Sequence, residues 1–179
     1  MLESALSQLI ITALSAGLTA RSLTAQIKKD NQPRQQGNPT SATLFFRHIG
    51  TINVGWPERI DTINKTTGGL DHTETQRKES RYQISALAPA NLTDPTAPLT
   101  ADYVNAAAAI MQSDATRALL LAANVGIQKP GNINLTYFLD EKGQHESNPT
   151  FDFILSHQDI FTTQGMVINA IIPSITNRV

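Results

Sequence analysis

The stretch TADYVNAAAAIMQSDATRALLLAANVG, residues 100–126, decides the fold, because it is the longest run in the chain with an unbroken helical pattern. Thr100 is expected to cap the first amides. Asp102 falls in the first turn, where the positive end of the helix dipole favours a carboxylate, and Leu99 and Val104 are placed to staple the start. Tyr103, Ala107, Ile110 and Met111 recur at helical spacing, and Ser113 with Asp114 is a second capping signal that should kink or restart the helix. Gly126 is expected to end it. The four consecutive alanines at 106–109 let another backbone approach closely, which suits a helix lying flat on a sheet. Nothing in the stretch has the look of catalysis.

Working outward toward the N-terminus, Leu2, Leu6, Leu9, Ile10, Ala13 and Leu14 share one face of a helix over about 2–16, with Gly17 and Leu18 as its stop. Its polar face lacks the Lys and Arg of membrane-surface helices, so docking on the domain's own sheet is the favoured reading. A short strand is expected at 22–28, then a loop at 29–40 carrying Lys29 and Arg34 beside Lys28 as a solvated rim. Residues 42–54 form the clearest strand, bounded by Gly55-Trp56-Pro57, with Leu44 and Phe46 on one face and Phe45, Arg47 and Ile49 on the other. Both faces are partly apolar, as in a sheet covered twice, by a helix and by either a neighbouring subunit or the same chain.

Residues 57–72 are polar and contain the turn signal Gly68-Gly69, and 73–88 reads as a long strand whose second half puts Tyr82, Ile84 and Ala86 on a core face. Its first half is polar on both faces. A long hairpin arm, about 55–82, is therefore expected to project from the body, with Arg77, Lys78, Glu79 and Arg81 available to another chain; a loop without a partner is the alternative. After a Pro-rich connection at 89–98 and the central helix, strands are expected at 132–139, at 151–156 with Phe151, Phe153 and Leu155 together, and at 164–172 with Met166, Ile168, Ala170 and Ile172 together. Between them, 140–149 reads as a loop. The whole is a single α+β domain over 1–179: a mainly antiparallel or mixed sheet packed by an N-terminal and a central helix, with a long projecting hairpin.

Composition removes several function classes. A net charge of -1 and a pI near 6.4 give no basic footprint for tight nucleic-acid binding. Without cysteine there is no disulfide framework, thiolate metal site or Cys nucleophile. No apolar run approaches the ~18 residues that span a bilayer, and Glu3, Ser7, Gln8 and Thr12 break any signal-peptide pattern, so the Asn-x-Ser/Thr triplets at Asn64, Asn91 and Asn134 are read as chance.

The histidines at 48, 72, 145 and 157 have no metal-ligand spacing, and an offset of five puts Asp152 and His157 on opposite faces of a continuous strand. His72 with Asp71 and Glu74 is a loop cluster that polar composition explains as well as a cation would. No nucleophile elbow, Walker loop or dinucleotide fingerprint occurs. No cofactor, metal or catalytic residue is expected, and the chain is not read as an enzyme.

Three segments, LFFRHIGTINVGWPER at 44–59, the helix and its sequel at 100–130, and NPTFDFILSH at 148–157, resemble the neck or tail-terminator proteins of long-tailed, particularly contractile-tailed, bacteriophages. The resemblance implies a structural virion protein assembled in the host cytoplasm. It implies a ring, a homohexamer, that caps the tail tube, ends tail polymerisation and joins the head connector. Its implied partners are further copies of itself, the tail-tube protein, the sheath and the connector, with DNA only passing through and no membrane. Phe45, Arg47, Trp56, Arg77, Lys78, Glu79 and Arg81 are the candidate subunit or tail interface. Competing readings are a tail-tube or baseplate subunit, and a small enzyme or ligand-binding domain whose site assembles from His48, Arg47 and Tyr82.

Overall fold

In the computed structural model, residues 1–29, 41–89, 96–139 and 145–165 are described, with the side chains of 136–139 and 145–147 left out. The elements run α1 (Glu3–Ala20), β1 (Gln26–Lys29), β2 (Thr43–Ile63), β3 (Leu70–Leu87), α2 (Thr100–Met111), α3 (Asp114–Ala122), β4 (Gly126–Ile127), β5 (Asn134–Leu139) and β6 (His145–Gln164). This is the expected α+β fold. The six-stranded sheet has the order β1-β2-β3-β6-β4, with β5 pairing further along β6; β1 and β2 are parallel and every other pair is antiparallel.

One sheet face carries the core. Leu44 and Phe46 on β2, Tyr82, Ile84 and Ala86 on β3, and Phe151, Phe153 and Leu155 on β6 line up by register and are all buried. Tyr82 and Phe153 stack with ring centroids 5.7 Å apart. Leu6, Ile10, Ala13, Leu14 and Leu18 of α1 and Tyr103, Val104, Ala107, Ile110 and Met111 of α2 complete the same cluster. The opposite, outer face carries Phe45, Arg47, Gln83, Arg81 and Asp152, and no helix of the described residues covers it.

The helix boundaries correct three expectations. Gly17 does not stop α1, which runs on to Ala20; a Cβ at Gly17 would lie 2.5 Å from Ile110 Cγ1 and Cγ2, so this glycine is where α1 and α2 approach. The chain instead leaves α1 at Ser22 (φ 56°), with the Leu23 amide donating to the Leu18 carbonyl and the Ser22 amide to Thr19. Likewise Asn124 (φ 56°), not Gly126, ends α3: Val125 donates to Leu120 and Asn124 to Leu121, while Gly126 opens β4. Both exits therefore satisfy orphan carbonyls without a glycine.

At the start of α2 the cap position is Leu99, one residue earlier than expected, and Asp102 Oδ2 accepts from the Leu99 amide at 2.8 Å. Leu99 is 66% exposed while Val104 is buried, so the two do not form a staple. The break at Ser113 is as expected: its hydroxyl accepts from the Thr116 amide and α3 restarts there.

Larger corrections concern the strands. The first begins at Gln26 rather than 22. β2 does not stop at Gly55-Trp56-Pro57 but continues to Ile63, because those residues form a bulge: the step from Val54 to Glu58 matches the step from Arg77 to Thr75 on β3. A second irregularity lies between His48 and Gly50. β6 is likewise far longer than 151–156; it takes up His145–Pro149, read as loop, against β5, and runs on beside β3 to Gln164. The projecting part is thus three strands, not two. The expected strand at 164–172 otherwise lies outside the described residues beyond Gly165, as does the loop at 30–40 with Arg34.

Candidate interaction surface

Burial divides the sheet. Along β3 it ends at Ser80 and along β6 at His157; beyond them β2, β3 and β6 form an arm whose large apolar side chains are not buried. From Leu155 to Gln164 the arm reaches roughly 30 Å at the usual rise per strand residue. At its tip Asn64 Oδ1 accepts from the Thr66 and Thr67 amides at 3.0 and 3.2 Å, and Gly68 takes φ +69° to close the turn. Asn64 Nδ2 also donates to Asp71 Oδ2.

A polar seam marks the junction of body and arm on the inner face. His48 Nε2, Thr51 Oγ1, Ser80 Oγ and His157 Nε2 form one chain of contacts at 2.9, 2.8 and 3.1 Å. Burial holds the His157 imidazole below its ordinary pKa, aided by the Met1 amino group and Lys78, so the ring is kept neutral. Tyr82, against His48, is fully buried and its hydroxyl is pushed up to about 12, chiefly by burial. A phenol held so far from ionisation is a core group rather than an acid or base at neutral pH.

The residues singled out from sequence fall in different places. Trp56 stands at the apex of the bulge, 95% exposed. The Arg77 guanidinium is exposed on the outer face and has no hydrogen-bond or ion-pair partner among the described residues, while the Arg77 carbonyl accepts from Gln76 Nε2. Phe45 is half-buried there, and Arg47 donates to Gln83 Oε1 at 3.1 Å. The other three already hold partners within the chain. Lys78 reaches Asp159 Oδ2 at 2.6 Å on the inner face, Gln128 Nε2 donates to Glu79, and Arg81 places Nε and Nη2 on Asp152 Oδ2. The strand that supplies Asp159 and Asp152 is β6, whose length the sequence reading missed.

The dispersed enzymatic site does not assemble, since Arg47 lies on the outer face while His48 and Tyr82 face inward. Nor does the expected loop cluster: His72 is on β3, its Nδ1 2.6 Å from Asp61 Oδ1, and this contact, with Arg59, holds the Asp61 carboxyl below its usual range. Among the described residues no group of His, Asp and Glu could hold a metal ion. An open depression of about 320 Å³ between the central helices and β4, lined by Met111, Arg117, Ile127 and Lys129 among others, brings in no carboxylate or nucleophile.

Sequence reading passed over the arm's apolar residues. Ile52, Ile60 and Ile63 on β2 and Ile160 and Phe161 on β6 are 63%, 50%, 74%, 60% and 64% exposed. The β-prone run Ile160-Phe161-Thr162-Thr163 was a usable signal for extending β6. These apolar residues divide between the faces, Ile52, Ile60 and Ile160 on the outer one and Ile63 and Phe161 on the inner, so the arm offers apolar side chains for association on both. Arm and body are matched together by one family model, described as E217 gateway protein gp29, over residues 5–166. No curated protein matches the chain.

Proposed function

The chain belongs to the family of the E217 gateway protein gp29, a phage head–tail gateway or neck family, and on that premise we propose that it is a structural protein of the phage neck that assembles as a closed ring. In this reading the ring is a homohexamer that caps the tail tube, ends tail polymerisation and joins the tail to the head connector. The phage is contractile-tailed, and the ring is assembled in the host cytoplasm before it enters the virion. The observation that carries the reading is the arm: a long, core-free extension with Trp56, Ile60, Ile63, Ile160 and Phe161 exposed. Apolar side chains left outside the core in this way favour association with a partner.

Phe45, Trp56 and Arg77 offer contacts to a neighbouring subunit or to the tail directly, and Arg47 does so by exchanging its bond to Gln83. Lys78, Glu79 and Arg81 do so only by sharing or exchanging their intrachain partners. The near-neutral charge suits a channel through which DNA passes, since a phosphate-binding lining would retard the strand. The test is the mass of the purified protein, alone and mixed with its tail-tube protein. A closed oligomer that binds tube ends and stops their growth is expected; a monomer under both conditions refutes the ring.

A further inference from the structure

The arm has two open edges. Along β2, pairing with β1 covers only Thr43–Phe46, and along β6, β5 and β4 reach only to Thr150 and to Leu155 and Ser156. Beyond these positions, among the described residues, each strand pairs with β3 alone, and on the β6 side the Met1 amino group covers the Gln158 carbonyl at 3.0 Å, which leaves 159–164 open. We infer that these two edges, β2 at 58–63 and β6 at 159–164, pair with one another between adjacent copies of this chain, making the arms one continuous sheet around the ring. The inference rests on the ring reading and specifies its contact.

Exposed edges are normally blunted by lysine, proline, bulges or inward charges, because a bare row of amides and carbonyls recruits another strand. The open β6 segment, DIFTTQ, has no lysine, arginine, proline or bulge, its charged residue, Asp159, is neutralised by Lys78 and the Met1 amino group, and Ile160 and Phe161 point to opposite faces of it. The β2 edge is interrupted by Gly55-Trp56-Pro57, which leaves residues 58–63 as its uninterrupted distal segment. Through β3 the two segments lie level: Glu58 is matched by Thr75 to Ile160, and Thr62 by Asp71 to Gln164.

Direction selects the partner. β3 is antiparallel to both neighbours, so β2 and β6 run the same way. Rotation about a ring axis along the arms preserves that direction, and β6 of one copy meets β2 of the next as a parallel pair. Ile160 and Ile60 then share the outer face, and Phe161 and Ile63 the inner one. A two-fold contact of β6 with β6 would leave every β2 edge open, whereas the head-to-tail contact closes both edges in all copies.

The chain contains no cysteine, so introduced cysteines report this contact cleanly. Thr62→Cys combined with Thr162→Cys, or with Gln164→Cys, places both thiols on the outer face. Under oxidation the double variants are expected to give a covalent ladder rising to the closed ring, and each single variant none. A covalent dimer from Thr162→Cys or Gln164→Cys alone overturns the inference in favour of two-fold β6 pairing. A closed ring by native mass in which neither double variant cross-links overturns it while leaving the ring standing. A protein that stays monomeric, with or without tube protein, removes the ring reading and the edge pairing with it. Ile160→Lys, at an exposed position, should melt like the parent and lose the ring; an unchanged ring in that variant also counts against the pairing.

Discussion

Replacing Gly17 by alanine tests the packing of the body at its tightest point. In an unconstrained helix interior the change would stabilise by about 1 kcal/mol through helix propensity. Here the new methyl would lie 2.5 Å from Ile110 Cγ1 and Cγ2 and 2.8 Å from Cδ1. Ile110 is 2% exposed, and its β-branched side chain has few rotamers to move into. Overpacking of this kind costs about 1–3 kcal/mol, which cancels the propensity gain and leaves Gly17→Ala destabilising by up to about 2 kcal/mol net. At roughly 2–4 °C per kcal/mol for a chain of this size, the melting temperature should fall by up to several degrees. Ile110→Ala alone should cost about 2–5 kcal/mol through its cavity. In the double variant the two changes fill and empty the same space, so together they should be less harmful than their sum by about 1 kcal/mol or more. Urea unfolding of the four proteins gives the cycle. If Gly17→Ala stabilises by the propensity gain, or if the two effects simply add, the helices do not meet at this glycine.

Leu6→Asp buries a carboxylate at a 1% exposed position and should cost several kcal/mol in thermal unfolding, whereas Leu9→Asp, at a half-buried position, should cost distinctly less. Acid should destabilise in two stages. His157 is depressed in the folded state, so the unfolded chain binds its proton more readily and stability falls as pH drops below about 6.5. The depressed carboxyls of Glu3, beside Lys29, and Asp159, beside Lys78, then lose their contribution below about pH 4. His157→Gln should flatten only the first stage of a melting-temperature profile against pH. Arg77→Glu, which breaks no intrachain contact among the described residues, should leave monomer stability within about 0.5 kcal/mol while weakening assembly. Arg81→Glu faces Asp152 and should lower stability by about 1 kcal/mol, as measured by urea unfolding.

What the sequence revealed and what it hid follow from how local each signal is. The inward rows Tyr82-Ile84-Ala86 and Phe151-Phe153-Leu155 were legible because period-two alternation is written in a few adjacent residues. The break at Ser113 was legible because a cap needs only its own turn. Gly17 was not, since its reason is Ile110 on another helix, and a glycine near a helix end ordinarily marks a stop. The bulge at Gly55-Trp56-Pro57 reads as a boundary in the sequence because glycine and proline punctuate strands, and only the register with β3 shows the ladder resuming at Glu58. Of the candidate surface, Trp56 and Arg77 are exposed. Lys78 has its partner, Asp159, on a part of β6 that has no alternating pattern to announce it, whereas Arg81 meets Asp152 within the alternating segment, across a strand pairing that local sequence does not show.

That missing pattern has a physical cause that bears on function. In the body each strand is held by apolar burial, so its sequence must alternate. In the arm β3 is held by hydrogen-bonded neighbours on both sides and by pairs such as Lys78–Asp159 and Thr73–Thr162, which impose little on the side chains around them. Substitutions on the arm therefore perturb folding far less than equivalent changes beneath the helices, provided the ladder is kept. Both irregularities of β2 lie on the open side of the sheet, at His48/Gly50 and Val54/Glu58, where extra twist re-aims the arm without disturbing the core rows at Leu44 and Phe46. A fold divided in this way can retain one body while the arm's exposed face changes with its partner. The arm is accordingly where specificity for a partner would be written, and the helical layer is where stability is.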